Sequence, residues 1–394
     1  MLKDKISLLA TEIFSDVVKN RRHLHAHPEL SFHEYQTAAF VAQKLDELGI
    51  KYQKMANTGL VAIIQGEKPS EGVVALRADM DALPIVEAND VPYKSTNAGV
   101  MHACGHDAHT SSLLGTARIL TELKKEFGGT VKLIFQPAEE KLPGGANMMI
   151  KEGVLENPKP DAVIGQHVMP LIEAGQVGFR SGKYMASTDE IYVTVYGKGG
   201  HGAQPQQNID PVLITSHIII ALQQIISRVA DPKTPSVLSF GKVIANGATN
   251  VIPNEVYLEG TFRTMDEDWR ARAHEKMKKM AEGIAEAMGG RCDFNIVRGY
   301  PFLINEEKLT ADVRAYAEDF LGKENVLDLD IWMAAEDFAY YSQVSDACFY
   351  RLGTGNKERG ITSSVHTPTF DVDEESLKLS TGLMAYIALK QLGN

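Results

Sequence analysis

The sequence of 394 residues predicts an α/β fold in which a second domain interrupts the first. Short apolar runs alternate with amphipathic segments, a pattern typical of a central sheet covered by helices. Between residues 183 and 298 the order changes to βαββαβ, the split ferredoxin-like unit. The chain is also longer than one hydrophobic core usually supports. We therefore expect a first domain at 1–182 and 299–394, and an inserted domain at 183–298.

The part of the chain before residue 183 contains the elements expected of such a sheet. Helices are predicted at 1–22, 33–48 and 108–125, and strands at 60–65, 73–78, 131–136 and 162–167. Acids or a histidine follow these strands or end them: Asp79, Glu139, Glu140 and His167. Because ligands gather at the carboxyl ends of the strands in α/β sheets, we expect these side chains to share one site.

The same kind of sequence pattern predicts the strands and helices of the inserted domain and of the C-terminal part. In the insert, strands are predicted at 189–196, 236–245, 255–264 and 292–297, and helices at 210–229 and 266–288. The C-terminal part returns to the α/β pattern, with helices at 307–321 and 374–391 and strands at 326–331 and 347–352. The first domain is therefore expected to be completed after the insert.

The composition argues against nucleic acid or a membrane surface as a partner. The net charge is −11, and no run rich in lysine or arginine forms a basic patch. No run approaches the ~20 apolar residues of a membrane span, and the N-terminus resembles an amphipathic helix more than a signal peptide. The three cysteines, Cys104, Cys292 and Cys348, are too few for a disulfide framework, which favours the cytoplasm.

The segment Met101–Thr110 is the strongest chemical signal in the sequence. It reads MHACGHDAHT and places one thiol, three imidazoles and a carboxylate close together, from His102, Cys104, His106, Asp107 and His109. Histidine and the cysteine thiolate are ligands for first-row metals. Further ligand candidates follow downstream: Glu139, Glu140, His167 and His366. These residues suffice for two metals, and the alternative is a buried thiol with a few solvated histidines.

Glu139 and Glu140 form an adjacent pair of acids after a strand. Neighbouring side chains on extended backbone diverge, so one acid can bind a metal while the other faces the substrate. A carboxylate beside a metal-activated water is a suitable general base. Asp79 could orient or polarise a ligand. The alternative is that Glu139 and Glu140 are two solvated surface acids.

Three polar residues of the inserted domain are candidates for contacts with a substrate. His201 lies between glycines, which let the backbone approach a ligand closely, and it could donate to a developing oxyanion. Asn250 lies in a similar loop, and Arg263 could pair with a substrate carboxylate. Alternatively, His201 is an ordinary exposed loop residue and Arg263 pairs with an acid of its own domain.

Other enzyme classes lack support in the sequence, which contains no P-loop, no G-x-G-x-x-G dinucleotide motif and no HExxH zinc motif. Two different kinds of function stay open at this point. Cys104 could act as a covalent nucleophile with His106 as its base. The protein could also be a metal-binding scaffold without catalytic activity.

The whole chain resembles the metallopeptidase family that includes aminoacylase and carboxypeptidase G2-type enzymes. It is most similar to the amidohydrolase branch, with hippurate hydrolase, auxin-conjugate hydrolase and N-acyl-amino-acid deacetylases. The resemblance rests on nine motifs in order: RRHLHAHPELSFHE (21–34), RADMDALP (77–84), MHACGHDAHT (101–110), FQPAEE (135–140), GQHVMP (165–170), GKGGHGAQP (197–205), NVIPNEVYLEGTFR (250–263), EDFAYY (336–341) and SSVHTPTF (363–370).

The resemblance implies a metallopeptidase-type catalytic domain with a mixed sheet, and a role for each matched residue. The positions that bind two divalent metals correspond to Cys104, His106, Glu140, His167 and His366. Glu139 matches the general base, and Asp79 matches the acid that supports a ligand. In the family, His201 and Asn250 contact the substrate or oxyanion from a partner subunit, and Arg263 lies in the same motif block. His102 and His109 are not ligand positions.

The resemblance also implies the activity. We expect a cytoplasmic, metal-dependent hydrolase that cleaves N-acyl-L-amino acids, such as acetyl, benzoyl or indoleacetyl conjugates, with a metal-activated water. The ligand set suits Zn, Mn, Co or Ni. A homodimer through the inserted domain is expected, and a dipeptidase or carboxypeptidase of the same family is the alternative activity.

Overall fold

The computed structural model describes residues 2–394 and divides the chain into two compact units. Unit 1 comprises Met1–Tyr184, Ile304–Ile331 and Asp337–Asn394, and unit 2 comprises Met185–Leu303 and Trp332–Glu336. The short segment 332–336, which the sequence pattern assigned to the first domain, belongs to unit 2. The boundaries of independently folding domains stay a prediction.

The helices lie close to their predicted positions. The α-helices are α1 (Leu2–Ala26), α2 (Tyr35–Glu47), α3 (His106–Glu122), α4 (Gly145–Lys151), α5 (Pro211–Gln224), α6 (Glu267–Ala287), α7 (Glu307–Leu321), α8 (Ala339–Ser342) and α9 (Glu375–Gln391). Short 3₁₀ turns occupy Lys124–Glu126, Pro205–Gln207 and Lys323–Asn325, and a π-helix at Ile225–Val229 continues α5. The sequence pattern missed α4, which is short and begins at a glycine.

The strands also agree with the predictions, with several short additions. They are β1 (Tyr52–Met55), β2 (Gly59–Gln65), β3 (Lys68–Asp79), β4 (Gly128–Gln136), β5 (Ala162–Glu173), β6 (Val177–Phe179), β7 (Gly182–Met185), β8 (Asp189–Tyr196), β9 (Gly200–His201), β10 (Ser236–Ile244), β11 (Val251–Ile252), β12 (Glu255–Thr264), β13 (Arg291–Arg298), β14 (Leu303–Asn305), β15 (Val326–Asp328) and β16 (Ala347–Gly355). One prediction was wrong: β5 does not end at His167 but continues six residues further.

Unit 1 is built on a mixed eight-stranded sheet with the order β1-β2-β4-β3-β5-β16-β6-β15. Its central strands β4, β3, β5 and β16 run parallel to one another, whereas β1 and β2 pair antiparallel with their neighbours. Strand β6 is antiparallel to β16 and parallel to β15. Helices α1, α3 and α9 contact one another and contribute buried residues to the same core. This arrangement confirms the predicted α/β class with a mixed sheet.

Unit 2 contains an antiparallel sheet with the order β10-β12-β8-β13. Helices α5 and α6 connect these strands in the order βαββαβ, so the predicted ferredoxin-like topology is confirmed. Helix α5 begins where the carboxylate of Asp210 accepts the N–H groups of Val212 and Leu213, with Pro211 at the first helical position. Its buried face, including Ile218, packs into the core of this unit.

One helix has the length and apolar composition of a membrane span, namely the segment Pro211–Val229. The sequence predicts a helix at 210–229 and no membrane span, and Thr215, Ser216 and His217 interrupt the apolar run of this segment. A core helix of a soluble protein passes the same test, and the face of this helix that carries Ile214 and Leu222 is buried in unit 2. The length and composition of this helix are therefore weak evidence that it contacts a membrane.

Candidate metal centre

The carboxyl ends of the central strands bring most of the predicted site residues together in unit 1. Strand β3 ends at Asp79, and the chain leaves the neighbouring β4 at Gln136 to form the turn that carries Glu139 and Glu140. His167 lies within β5 on the other side of β3. Since β4, β3 and β5 are parallel neighbours, these residues converge on one edge of the sheet, as the strand ends predicted.

The Cys/His segment reaches this edge through the start of α3. Gly105 has a φ of +81° and precedes the helix, which begins at His106. A Cβ atom at Gly105 would lie 2.5 Å from Cγ2 of Val168, so the close packing against β5 needs a glycine. This packing sets Cys104 and His106 beside His167.

The structure brings the five predicted metal ligands into contact distance. Cys104 Sγ lies 3.3 Å from Nε2 of His167 and 3.3 Å from Nε2 of His366. Glu140 Oε1 is 3.1 Å from Nε2 of His366 and 4.0 Å from Nε2 of His106. His366 is the most exposed of the five, and its φ of +62° is rare for a residue with a side chain.

These residues form two groups that could each hold an ion. Cys104, His106 and His167 make up one group, and Cys104, Glu140 and His366 make up the other, with the ligand atoms of each group within 4.8 Å of one another. The thiol of Cys104 belongs to both groups. Its sulfur could therefore serve either of two adjacent positions.

In His106 and His167 the backbone hydrogen bond is made by Nδ1, so Nε2 of each ring is available to a metal. His106 Nδ1 faces two acceptors, the backbone carbonyl oxygen of Asp81 at 2.9 Å and its carboxylate at 3.2 Å, so this nitrogen carries the proton. His167 Nδ1 donates in the same way to the carbonyl oxygen of Val168 at 2.7 Å. In the neutral form of each ring, Nε2 then presents a lone pair to the centre, which is the usual arrangement of a metal-binding histidine.

The electrostatics of the centre favour a cation. Burial and the carboxylates of Glu140 and Glu139 raise the pKa of the Cys104 thiol well above its usual value. Burial alone would lower the pKa of His106, but Asp79 and Asp81 raise it to about 10. The neighbouring carboxylates add to the effect of burial at Cys104 and outweigh it at His106, and a bound divalent ion would balance their negative charge.

The residues fit a metal in a further respect. His106 Nε2 is buried and has no hydrogen-bond partner among residues 2–394. A buried polar atom without a partner costs free energy, and a metal ion bound at this Nε2 would supply the missing partner. Thiolate, imidazole and carboxylate together form a donor set suited to first-row divalent metals. The groups are therefore suited to hold divalent metal ions.

Two acids of the centre are themselves held in place. Glu139 is buried, and its Oε1 accepts the backbone N–H of Asp337 at 3.3 Å. Asp79 accepts from Arg77 at 2.7 Å and from Nδ1 of His109 at 2.6 Å. Burial alone would raise the pKa of Asp79, but the neighbouring His106 and Arg77 hold it well below its usual range. Asp79 is therefore ionised and fixed beside the ligands.

The family resemblance gives His109 no ligand position, and its contacts are those of a supporting residue. Its Nε2 accepts the backbone N–H of Val168 at 2.9 Å, so the ring links Asp79 to the strand of His167. Two other acids, Asp81 and Glu34, received no role from the sequence. The only signals that could have indicated them are their positions in the RADMDALP and HPELSFHE segments.

Within unit 2 the structure brings His201 and Asn250 together. Strand β9 pairs with β11, with His201 opposite Val251, and the carbonyl oxygen of Asn250 accepts the N–H of Gly202 at 2.9 Å. The Nδ1 of His201 accepts the N–H of Ala203 at 3.0 Å, so a neutral ring carries its proton on Nε2. Both His201 and Asn250 are exposed.

Arg263 lies apart from that pair, on β12 of the four-stranded sheet. It is half-buried, and its Nε donates to the hydroxyl of Thr261 at 3.1 Å. Asp189 and Glu190 of the same unit lie close enough to influence it. These contacts support the alternative that Arg263 serves its own unit. Its pairing with a substrate carboxylate stays a prediction.

Comparison with known proteins agrees with this geometry. The model of peptidase family M20/M25/M40 matches residues 75–390. An N-acyl-L-amino acid amidohydrolase from Geobacillus stearothermophilus is 44% identical over 78% of this chain and 83% of its own length. An N-acetyl-L-cysteine deacetylase from Bacillus subtilis is 40% identical over 94% of this chain and 87% of its own.

A solved structure extends the likeness to the fold. The Bacillus subtilis YXEP protein, a dinuclear metal binding peptidase from the M20 family, superposes with a TM-score of 0.83 at 34% identity. The match covers 98% of this chain and 99% of that protein. The match therefore extends over both units.

Proposed function

The chain belongs to peptidase family M20/M25/M40, and from that premise we propose how its residues divide the hydrolysis of an amide. The protein is a metal-dependent amidohydrolase of N-acyl amino acids, as its homologues in the family are. The resemblance seen in the sequence is confirmed. The observation that carries the proposed roles is the position of Cys104 in two ligand groups, with the buried Glu139 beside them.

We propose that two divalent ions, Zn, Mn, Co or Ni, bind at these groups. Cys104, His106 and His167 would hold one ion, and Cys104, Glu140 and His366 the other. The chemistry supplied by such ions is Lewis-acid polarisation of the amide carbonyl and an increase in the acidity of the attacking water.

Glu139 is the proposed general base. Its carboxylate takes a proton from the attacking water and then passes it to the nitrogen of the leaving amino acid. The N–H of Asp337 donates to Oε1 of Glu139 at 3.3 Å, so the backbone holds this carboxylate beside the ligands. Asp79, held by Arg77 and His109, keeps negative charge next to His106 and supports that ligand.

The residues of unit 2 are proposed to contact the substrate. With its proton on Nε2, His201 can donate a hydrogen bond to the oxyanion of the tetrahedral intermediate. Asn250, on the neighbouring strand connection, offers an amide for a further contact. Arg263 is proposed, with less support, to pair with the substrate carboxylate.

The thiol mechanism considered from the sequence is disfavoured. A cysteine nucleophile needs a lowered pKa and an adjacent base. Here burial and two carboxylates raise the pKa of Cys104, and the imidazoles within hydrogen-bond distance of its Sγ are those of His167 and His366, at 3.3 Å each, rather than that of the suggested base His106. A scaffold without activity is equally at odds with an intact Glu139 and five ligands.

We further propose that the protein is a cytoplasmic homodimer that joins through unit 2. The outer face of α5 exposes Leu213 by 51% and Ile220 by 72%, and the edge strand β10 exposes Val243 by 51%. Edge strands and apolar faces are costly to leave in water, and pairing two copies would cover both. Neither nucleic acid nor a membrane is proposed as a partner.

The proposed function is tested by a hydrolysis screen of the metal-loaded protein. Metal is removed with a chelator and restored with Zn²⁺, Mn²⁺, Co²⁺ or Ni²⁺. The substrates are acetyl-, benzoyl- and indoleacetyl-amino acids, with dipeptides alongside. We expect hydrolysis of at least one acyl series that is lost on chelation and regained with a metal. Activity that survives complete metal removal would contradict the proposal.

A further inference from the structure

The buried carboxylate of Asp81 lies just beyond the end of β3 and gathers four hydrogen bonds. Its Oδ1 accepts from His106 Nδ1 at 3.2 Å and from the backbone N–H of Glu139 at 3.0 Å. Its Oδ2 accepts from the backbone N–H of Glu140 at 3.0 Å and from the hydroxyl of Ser31 at 2.6 Å. One side chain thus contacts a ligand ring and both peptide groups of the acid pair.

We propose that Asp81 is a positioning residue that fixes the ring of His106 and the Glu139–Glu140 turn relative to each other. The inference rests on the proposed function, in which His106 and Glu140 bind metal and Glu139 moves the proton. Ligand and base come from different elements, α3 and the turn after β4. A direct link between them keeps the base at a constant distance from the ligands, which a proton transfer needs.

The chemistry of the contacts explains why this position needs an acid. An ionised carboxylate only accepts hydrogen bonds, and all four of its neighbours here are donors. An asparagine of the same shape would turn its NH₂ group towards one pair of donors. Two of the four hydrogen bonds would then be replaced by a donor facing a donor, in a buried place where unpaired groups are costly.

A second acid holds the same turn from its other end. Ala138 has a φ of +51°, an uncommon conformation for a residue with a side chain. Its N–H donates to Glu34 Oε1 at 2.8 Å, and Glu34 Oε2 accepts the hydroxyl of Thr58 at 2.7 Å. Asp81 and Glu34 together therefore hold three consecutive peptide N–H groups, those of Ala138, Glu139 and Glu140.

The test compares the wild type with Asp81→Asn through metal affinity and turnover. We expect the dissociation constant for Zn²⁺, measured by competition with a chromogenic chelator, to rise about 10–100-fold, the usual effect of disturbing a partner of a ligand. In the Co²⁺-loaded protein the visible absorption bands should shift, because the position of a ligand ring has changed. The value of kcat should fall while KM for an N-acetyl amino acid changes little.

Asp373→Asn is the matched control. Asp373 is equally buried, accepts from Arg359 at 2.9 Å and from the N–H of Glu375 at 3.1 Å, and lies before α9. It touches none of the proposed ligands or the base among the described residues. This variant should lose stability but keep the Zn²⁺ dissociation constant, the Co²⁺ spectrum and kcat of the wild type.

The outcomes distinguish a failure of the positioning role from a failure of the proposed function. If folded Asp81→Asn keeps the dissociation constant and kcat within twofold of the wild type, the positioning role is overturned. If that variant does not fold, Ser31→Ala decides, because it removes one hydrogen bond from the same carboxylate. We then expect a severalfold weaker Zn²⁺ affinity, and an unchanged affinity would reject the role. A wild type that binds two metals but hydrolyses no acyl amino acid would contradict the proposed function, yet leave the affinity comparison intact.

Discussion

The candidate metal centre of unit 1 is mostly buried, whereas His201 and Asn250 of unit 2 are exposed on short paired strands. In unit 1 several of the acids and rings have a further partner that fixes them, as Asp81 fixes His106 and Arg77 fixes Asp79. In unit 2 the side chain of His201 has one internal hydrogen bond, which sets only its tautomer.

The two regions therefore suit different tasks in the proposed reaction. Metal ligands must be held in place before the ion arrives, since ordering charged groups afterwards would cost affinity. A histidine that donates to a developing oxyanion needs its proton on the nitrogen that faces the substrate, and a side chain that is free to approach the substrate. We therefore expect changes in unit 1 to act on metal binding and proton transfer, and changes in unit 2 to act on the substrate and transition state alone.

The largest effect is expected from Glu139→Gln. Glutamine cannot take a proton, so kcat should fall by about 10²–10⁴-fold, the usual contribution of a general base. The metal content should stay that of the wild type, measured by elemental analysis of the purified protein. The neighbouring substitution Glu140→Gln should instead lower metal content. A Glu139→Gln variant with near wild-type kcat would remove Glu139 from this role.

Cys104→Ala should weaken both ion positions together, because its thiol belongs to both ligand groups. We expect metal content to fall below one ion per chain under conditions that load the wild type with two, and activity to fall with it. The control is Cys348→Ala, a buried cysteine of β16. If Cys104→Ala keeps two ions and full activity, Cys104 is only a packing residue.

Metal affinity should increase with pH. Without metal, the pKa of the Cys104 thiol is raised well above its usual value by burial and neighbouring carboxylates. The pKa of His106 is raised to about 10 by Asp79 and Asp81, against the effect of burial. Both groups therefore carry protons at neutral pH, and an ion must displace them.

For each proton that the metal displaces, the metal affinity should rise about tenfold per pH unit, as long as the pH is below the raised pKa values. Chelator competition between about pH 6 and 8 measures this slope, and Cys104→Ala should reduce it by about one proton. An affinity that does not vary over this range would show that these groups bind no metal, or bind it without losing protons.

The sequence predicted the fold class and the ligand cluster because both depend on local signals. Alternating strands and helices define the sheet, and its parallel strands bring Asp79, Glu140 and His167 to one edge, with His167 inside β5 rather than at its end. Asp81 could not be identified in the same way, since its partners Ser31 and Glu139 are distant in the sequence and meet it only in the folded chain. The continuation of β5 beyond His167 depends on pairing with β16, which the local pattern does not contain.

The most direct test of the account mixes two inactive variants, His201→Ala and Glu139→Gln. If the protein is a dimer and His201 acts on the partner's site, mixed dimers contain one site with both wild-type residues. After subunit exchange in equal amounts we predict recovery of about a quarter of the wild-type activity, because half of the dimers are mixed and each has one intact site. No recovery, despite exchange demonstrated with labelled subunits, would contradict action from the partner.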